Sequence, residues 1–237
     1  MVMKIEEIEK ISESFESKEP QEVLRWAIDY FKPKIALACS FGLEDVVIVD
    51  MISKIDPDTR IFYIDTDLLF KETYDVIERI KKRYGIKPVS YKSEMSLEEQ
   101  EKIYGKNLWG RDPNLCCGIR KVEPLKEALS GLDAWITGIR REQSETRKNV
   151  RVVEWDELHG LVKINPLVNW TLGDTFRYVL QNDVPYNILH DKNYPSVGCY
   201  PCTRPVMPGE DQRSGRWSGF GKTECGLHVK TDHQEKI

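Results

Sequence analysis

Six cysteines, at positions 39, 116, 117, 199, 202 and 225, are the side chains of this 237-residue sequence with the most chemistry to offer. Cys225 stands alone in "RWSGFGKTECGLHVK", between Glu224 and Gly226, with lysines on both sides and His228 just after it. A structural cysteine belongs in an apolar run. Cys225 is therefore expected to be exposed and reactive, as a thiolate among cations would be. Cys39, inside "IALACS", has the apolar setting and is expected to fill the core.

The other four come as two pairs, Cys116 and Cys117 in "LCCGIRK" and Cys199 and Cys202 in "GCYPCTRP". Both segments lack the apolar residues needed to order themselves, and a metal joining them would supply that order. In a reducing cytosol such a set reads as metal ligands or reactive thiols before disulfides. Cys199 and Cys202 have the C-x-x-C bite common to metal sites, but Cys116 and Cys117 are adjacent. Neighbours on a helix point about 100° apart, a poor fit to one tetrahedral ion. A cluster with several iron corners offers each sulfur its own iron. A [4Fe–4S] cluster is thus the favoured reading, with structural zinc and unrelated free thiols as the alternatives.

These residues need a scaffold, and 40% hydrophobic content over 237 residues is enough for one large α/β domain. The whole of 1–237 is read as a single domain: N-terminal helices over 1–33, an α/β core over 34–184, and a cysteine-containing segment over 185–237. "MVMKIEEIEKISESFESKEP" is acidic and helix-patterned with no leader, and no stretch approaches a membrane span, so a soluble cytoplasmic protein is expected. A formal net charge of −4 argues against a nucleic-acid or membrane partner. The stretch from Arg204 to Lys230 is nonetheless locally basic, which favours a small anionic ligand.

Along the chain, "IEEIEKISESF" and "QEVLRWAIDYF" read as a helical pair broken at Pro20. The buried strand "KIALACSFG" follows, then "LEDVVIVDMISKI" as a helix with one apolar face, the strand "RIFYIDTD", and the helix "FKETYDVIERIKKRYG" closed by Gly85. "KPVSYK" and "LDAWITGIR" read as further strands, with helices over "SLEEQEKIYG" and "CGIRKVEPLKEALSG" between them. This rhythm predicts a doubly wound, mostly parallel sheet. After Arg147 a hairpin turning near Asp156 to Gly160 is expected, then a helix over "TLGDTFRYVLQNDV" capped by Thr171. From Pro185 to Gly221 periodicity is lost, so that stretch is either disordered or held by something other than a hydrophobic core.

"CSFGLEDVV" puts Ser40 and Gly42 between the first strand and a helix, where open α/β sheets bind phosphates and nucleotides. An ordinary turn capped by Ser40 would look the same. However, "YIDTDLLF" and "TGIRREQSETR", with Arg140, Arg141 and Arg147, bring polar strand ends to the same rim. Three such ends favour a site over a solvated face.

Taken together, "SFGLEDVV", "IDTDLLF", "CCGIRKVEPL", "GIRREQSETR", "GCYPCTRPV", "RSGRW" and "ECGLH" give this sequence a close resemblance, from about Ile35 to His228, to the adenylylsulfate and phosphoadenylylsulfate reductases. That family shares the PP-loop (adenine nucleotide α-hydrolase-like) architecture of ATP pyrophosphatases. The resemblance implies reduction of a nucleotide-activated sulfate to sulfite in assimilatory sulfate reduction. In it Cys225 is the nucleophile, an S-sulfocysteine the intermediate, and thioredoxin or a similar dithiol the reductant. It places Lys121, Arg213, Arg216 and His228 on the sulfate and phosphate, and Ser40, Gly42 and Arg140 in the nucleotide-contacting motifs. Cys116, Cys117, Cys199 and Cys202 match the ligands of the cluster-bearing branch, whose substrate is adenylylsulfate. Lys121, four residues past Cys117, is placed to sit beside both cluster and substrate. One departure is Asp67, where the family commonly has the glycine of D-T-G, which puts an acidic side chain near the nucleotide rim.

The rival readings are a phosphoadenylylsulfate reductase, a PP-loop nucleotidyl transferase or ligase with a structural zinc, and a zinc-stabilised binding module. A transferase would carry S-G-G-x-D. Phe41 fills the first glycine position, and the loop is expected to lack the backbone freedom to wrap a pyrophosphate. A binding module has no use for Cys225. Oligomeric state is not legible, a homo-oligomer included.

Overall fold

The computed structural model describes residues 3–228; Lys230, the end of the basic stretch, lies outside them. Helices α1 (Ile5–Phe15) and α2 (Pro20–Phe31) form the expected pair, with Pro20 opening the second helix, where its missing N–H costs nothing. Strands β1 (Ile35–Ala38), β2 (Arg60–Ile64) and β3 (Val89–Tyr91) alternate with α3 (Leu43–Ile55) and α4 (Lys71–Tyr84), and α5 (Leu97–Tyr104) follows. Gly85 closes α4 in the left-handed conformation as expected. After α6 (Pro113–Cys117) and α7 (Glu123–Leu129) come β4 (Ala134–Ile136), the hairpin β5 (Val153–Asp156) and β6 (Leu161–Ile164), and α8 (Leu172–Gln181). Thr171 caps α8 in a reciprocal box with Asp174.

The six strands are ordered β3-β2-β1-β4-β6-β5, all parallel except the β5–β6 pair. Strand order reverses between β1 and β4, so the loops after these two strands diverge there and open a crevice. α2, α3, α4 and α8 share the larger apolar core on one face of the sheet. Leu125 and Leu129 of α7 pack with Phe62 and Trp135 on the other. The expected one-sided apolar face of α3 is corrected: residues 43 to 52 are buried all round. Its Asp50 is tolerable there because Tyr84, Tyr178 and Lys54 all donate to it. Among the described residues no helix is long and apolar enough to cross a membrane.

The helix expected over "CGIRKVEPLKEALSG" starts earlier, at Pro113, and carries a wide π-type turn over Gly118–Val122. Such insertions re-aim side chains. Here it bears both Arg120 and Lys121. The segment after Pro185 follows a defined path without regular elements, apart from short turns at Ile188–Lys192 and Tyr200–Cys202. Backbone pairs hold it, among them Tyr200 N–H to the Leu68 carbonyl, Arg204 N–H to Gly215 and Trp217 N–H to Cys202. The ion pair Arg204–Glu210 adds to these.

Candidate active site

The crevice opens into a cavity of about 190 Å³. Its floor is the carboxyl rim of the sheet: residues 38 to 45 after β1, Phe62 to Ile64 and Thr66 at the end of β2, and Gly138, Ile139, Gln143 and Arg147 after β4. Its roof is the C-terminal segment, with Ser196 to Gly198, Gln212, Arg213, Arg216, Cys225, Leu227 and His228. Of the expected substrate residues, Ser40, Gly42, Lys121, Arg213, Arg216 and His228 therefore meet Cys225 around one space.

Ser40 donates from both its backbone N–H and its hydroxyl to Asp45, each at 2.6 Å. Burial pushes the Asp45 carboxyl up to about 6 despite those two bonds. Gly138 is required where it is, since a Cβ there would collide with the Asp45 carboxylate. Phe41 corrects the expectation drawn from its size. It adopts the glycine-like positive φ of 57° with its ring buried against Tyr63, so the loop keeps the backbone shape that glycine would give.

Arg140 is not on the cavity wall. Its guanidinium is buried, donating to Glu44 at 2.8 Å and to Glu142 at 2.7 Å, so it stands behind the wall that Glu44 lines rather than in it. Arg147, further along the same loop, stands in the wall instead. Its Nε and Nη2 donate to the two oxygens of Glu224 at 2.9 Å each, and Arg213 donates to the same carboxylate at 3.1 Å. Glu224, which the sequence did not single out, ties the residue before Cys225 to the sheet rim. Its two guanidiniums hold its carboxyl below the ordinary range against the upward push of burial.

Cys225 is half-buried in this wall rather than exposed. Burial and, less strongly, the Glu224 carboxylate push its thiol up, but Lys121, then the Leu227 backbone and Arg216 outweigh them, and its pKa lies below that of a free cysteine. The Nε of Arg213, the Nε of Arg216 and the Nδ1 of His228 are buried with no hydrogen-bond partner. Arg216 also lies over the Trp217 ring, 4.5 Å from its centre. His228 stacks on Trp135 at 5.3 Å, so Trp135 is core and wall at once. Unpaired guanidinium donors facing a cavity call for an anion.

Lys121 also lines a second, small cavity, with Cys116, Cys117, Cys199, Cys202, Arg120, Trp109 and Trp217. The two cysteine pairs are brought there by different means: Cys116 and Cys117 end α6, while an isolated bridge between Leu69 and Cys199 sews the C-x-x-C turn to the loop after β2. The Thr66 hydroxyl lies 3.3 Å from the Cys199 sulfur. Burial, and then the neighbouring thiolates, push Cys116 up to about 12 and Cys202 to about 11. Thiols held this close ionise together only around a cation, so the set of four sulfur donors suits a thiolate-bound metal group. Among the described residues, no three Cys, His, Asp or Glu side chains close on a point where a single ion would sit. Asp67, expected near the nucleotide rim, turns away: it accepts from Lys92 at 2.6 Å and from the buried Arg120 at 3.2 Å. It occupies the left-handed conformation (φ 58°) in which glycine is at ease.

Comparison with known proteins agrees with this geometry. Residues 34–205 match the phosphoadenosine phosphosulfate reductase domain. The chain is 51% identical to an adenosine 5′-phosphosulfate reductase of Lysinibacillus sphaericus, over 87% of this chain and 89% of that one. It is 50% identical to adenosine 5′-phosphosulfate reductase 1 of Bacillus subtilis, over the same shares. Among solved structures, a phosphoadenylyl-sulfate reductase from Candida auris in a phosphate complex superposes with a TM-score of 0.77 and 36% identity, over 87% of this chain and 99% of that one. The FMN adenylyltransferase of Candida glabrata in complex with ATP, at 14% identity and a TM-score of 0.57 over 89% and 70% of the two chains, shares the fold alone. A lone thiol meeting unpaired cations at the switch point of a PP-loop sheet, matched over most of its length by these relatives, makes this chain an enzyme of the phosphoadenosine phosphosulfate reductase family.

Proposed function

We propose that the protein reduces adenylylsulfate to sulfite and AMP, with thioredoxin or a similar dithiol as the electron donor, in the reducing cytoplasm where sulfate is assimilated. The observation that carries this reading is the convergence of Cys225 with Lys121, Arg213 and Arg216 on one cavity. The relatives' names add the nucleotide.

The nucleotide lies along the sheet rim with its sulfate toward Cys225. Lys121, Arg213 and Arg216 neutralise the sulfate and 5′-phosphate oxygens, and the same charges favour the Cys225 thiolate. The thiolate attacks the sulfate sulfur, an S–S bond forms, and the bridging S–O bond breaks with its electron pair going to AMP, a good leaving group. A dithiol thiolate then attacks the Cys225 sulfur of the S-sulfocysteine, and sulfite departs with the electron pair of the S–S bond. The donor's second thiol resolves the mixed disulfide, so the donor leaves as a disulfide, two protons are released and Cys225 is restored. His228, stacked on Trp135, orients the anion or the nucleophile.

Cys116, Cys117, Cys199 and Cys202 would hold a [4Fe–4S] cluster, since four sulfurs border one cavity without closing on a single ion. When bound, that cluster supplies a fixed charge beside Lys121 and a crosslink between α6 and the C-terminal segment. The chain works as one domain, because the floor of the site comes from the α/β core and its roof from the C-terminal segment.

Adenylylsulfate is preferred to its 3′-phosphorylated relative. The arginines and lysine of the wall are taken up by the sulfate and 5′-phosphate, and an extra phosphate without a cation would be desolvated at a loss. The test is dithiol-coupled sulfite release with both nucleotides in one tube at matched low concentration. Faster consumption of adenylylsulfate, with one AMP per sulfite, is the expected result; equal consumption or preference for the 3′-phosphorylated compound contradicts it.

A further inference from the structure

His190 is a fourth side chain of the cavity wall with a buried, partnerless nitrogen, and it differs in kind from the guanidiniums. Its Nδ1 lies 2.8 Å from the Tyr194 carbonyl oxygen. A carbonyl can only accept, so Nδ1 carries the ring proton. Burial lowers the pKa of the ring and keeps it neutral, so Nε2 is left with a bare lone pair. The arginine Nε groups offer protons to an anion; His190 Nε2 asks for one.

The surroundings fit a hydroxyl donor. The charges that bear on His190 are both carboxylates, Glu44 and Asp191, and Glu44 is itself in the cavity wall at the start of α3. The ring is fixed edge-on to Phe176 of α8, 6.2 Å between centres. Across the cavity, Phe62, Ile64, Leu125 and Leu227 belong to the cluster on the opposite face of the sheet. His190 comes from beyond α8, on the face that holds the larger core, and shares the wall there with Ser40, Glu44 and Ser196 as well as with apolar side chains. Apart from the amino group of its base, the neutral hydrogen-bond donors an adenine nucleotide carries are its ribose hydroxyls.

We propose that His190 Nε2 accepts a hydrogen bond from a ribose hydroxyl of the bound nucleotide, so that this side chain selects a free ribose. The inference rests on the nucleotide site described under Proposed function. A phosphate at that hydroxyl would set acceptor against acceptor, with Glu44 adding repulsion.

Calorimetric titration of the wild-type holoenzyme with AMP, 2′-deoxy-AMP and 3′-deoxy-AMP tests this without turnover. One deoxy analogue should bind about tenfold more weakly than AMP, the size of one good buried hydrogen bond. In His190→Leu that deoxy penalty should vanish, AMP itself having weakened about tenfold. In His190→Gln, whose side-chain oxygen can take the place of Nε2, most of the penalty should remain. Wild-type protein that binds both deoxy analogues as tightly as AMP overturns the inference while leaving the nucleotide site intact, and so does an undiminished penalty in His190→Leu. Inosine 5′-monophosphate, which keeps the ribose and changes the base, should lose the same affinity relative to AMP in wild type and in His190→Leu. Loss of discrimination for inosine 5′-monophosphate alone would reassign His190 to the base and overturn it. Wild-type protein that fails to bind AMP at all overturns this inference and the reading beneath it together.

Discussion

On one side of the nucleotide cavity the wall is the rim of a parallel sheet whose central strands, β1 and β4, are buried in apolar residues. On the other it is the segment after Pro185, which is joined to the rest by backbone bridges and ion pairs and brings Cys199 and Cys202 to the small cavity that Cys116 and Cys117 also line. The first wall orders itself by hydrophobic burial and can hold Ser40, Gly42 and Asp45 in place before any ligand arrives. The second has few apolar contacts of its own, and its position over the sheet depends on polar links such as the Arg147–Glu224–Arg213 triad. The nucleophile sits on the second wall. The sheet rim is thus ordered by burial, while the thiol is positioned by polar links.

If this division is right, the two walls should fail differently. Cys225→Ser removes only the nucleophile. Sulfite release should fall by more than about 10³-fold, with nucleotide affinity and visible absorbance unchanged; measurable turnover in this variant would break the account of the second wall. Cys117→Ser and Cys202→Ser come next. Each alone should strip iron from the whole site and expose the chain after Pro185 to protease, while the sheet keeps its circular dichroism. Iron retained in full by both variants would count against a shared site.

Lys121 belongs to both cavities, and Lys121→Met should reduce kcat about 10²-fold, as loss of one charge-stabilising donor does. The sign of its pH effect is fixed. Lys121 is the leading group that lowers the Cys225 pKa, so without it the thiolate forms only at higher pH. Alkylation of Cys225 by iodoacetamide, followed against pH, should therefore shift upward in the variant; an unmoved profile would assign the lowering to Arg216 instead. The smallest functional effect is expected for Asp67→Gly. Buried Arg120 would lose its carboxylate partner, and glycine would relieve the positive φ, for a net loss of roughly 2 kcal/mol in stability. The KM for adenylylsulfate should change less than about twofold, and a larger change would return Asp67 to the nucleotide rim.

The first wall was far more legible than the second. Strand and helix periods, Gly85 and the Thr171 cap announce the sheet and its layers, because burial there repeats at fixed spacings. Sequence is silent where tertiary contacts decide. Arg140 and Arg147 share one loop and one chemistry, yet only the position of Glu44 beneath and Glu224 above sends the first into the protein and the second into the cavity wall. The wide turn at Gly118–Val122 has no periodic signature. His190 lies in the aperiodic stretch, and its value as an acceptor depends on the Tyr194 carbonyl taking the proton of its other nitrogen. Cys225 was found by its isolation, though its isolation suggested exposure. The cations that activate it come from α6–α7 and from the "RSGRW" turn, and they enclose it as well.

The most direct measurement is mass spectrometry of the wild-type protein mixed with adenylylsulfate in the absence of any reductant. One added sulfonate, on the peptide containing Cys225 and stoichiometric with the AMP released, is the predicted result. The same modification on Cys39 or on one of the four clustered cysteines, or AMP release with no modified peptide, would contradict covalent reduction through Cys225.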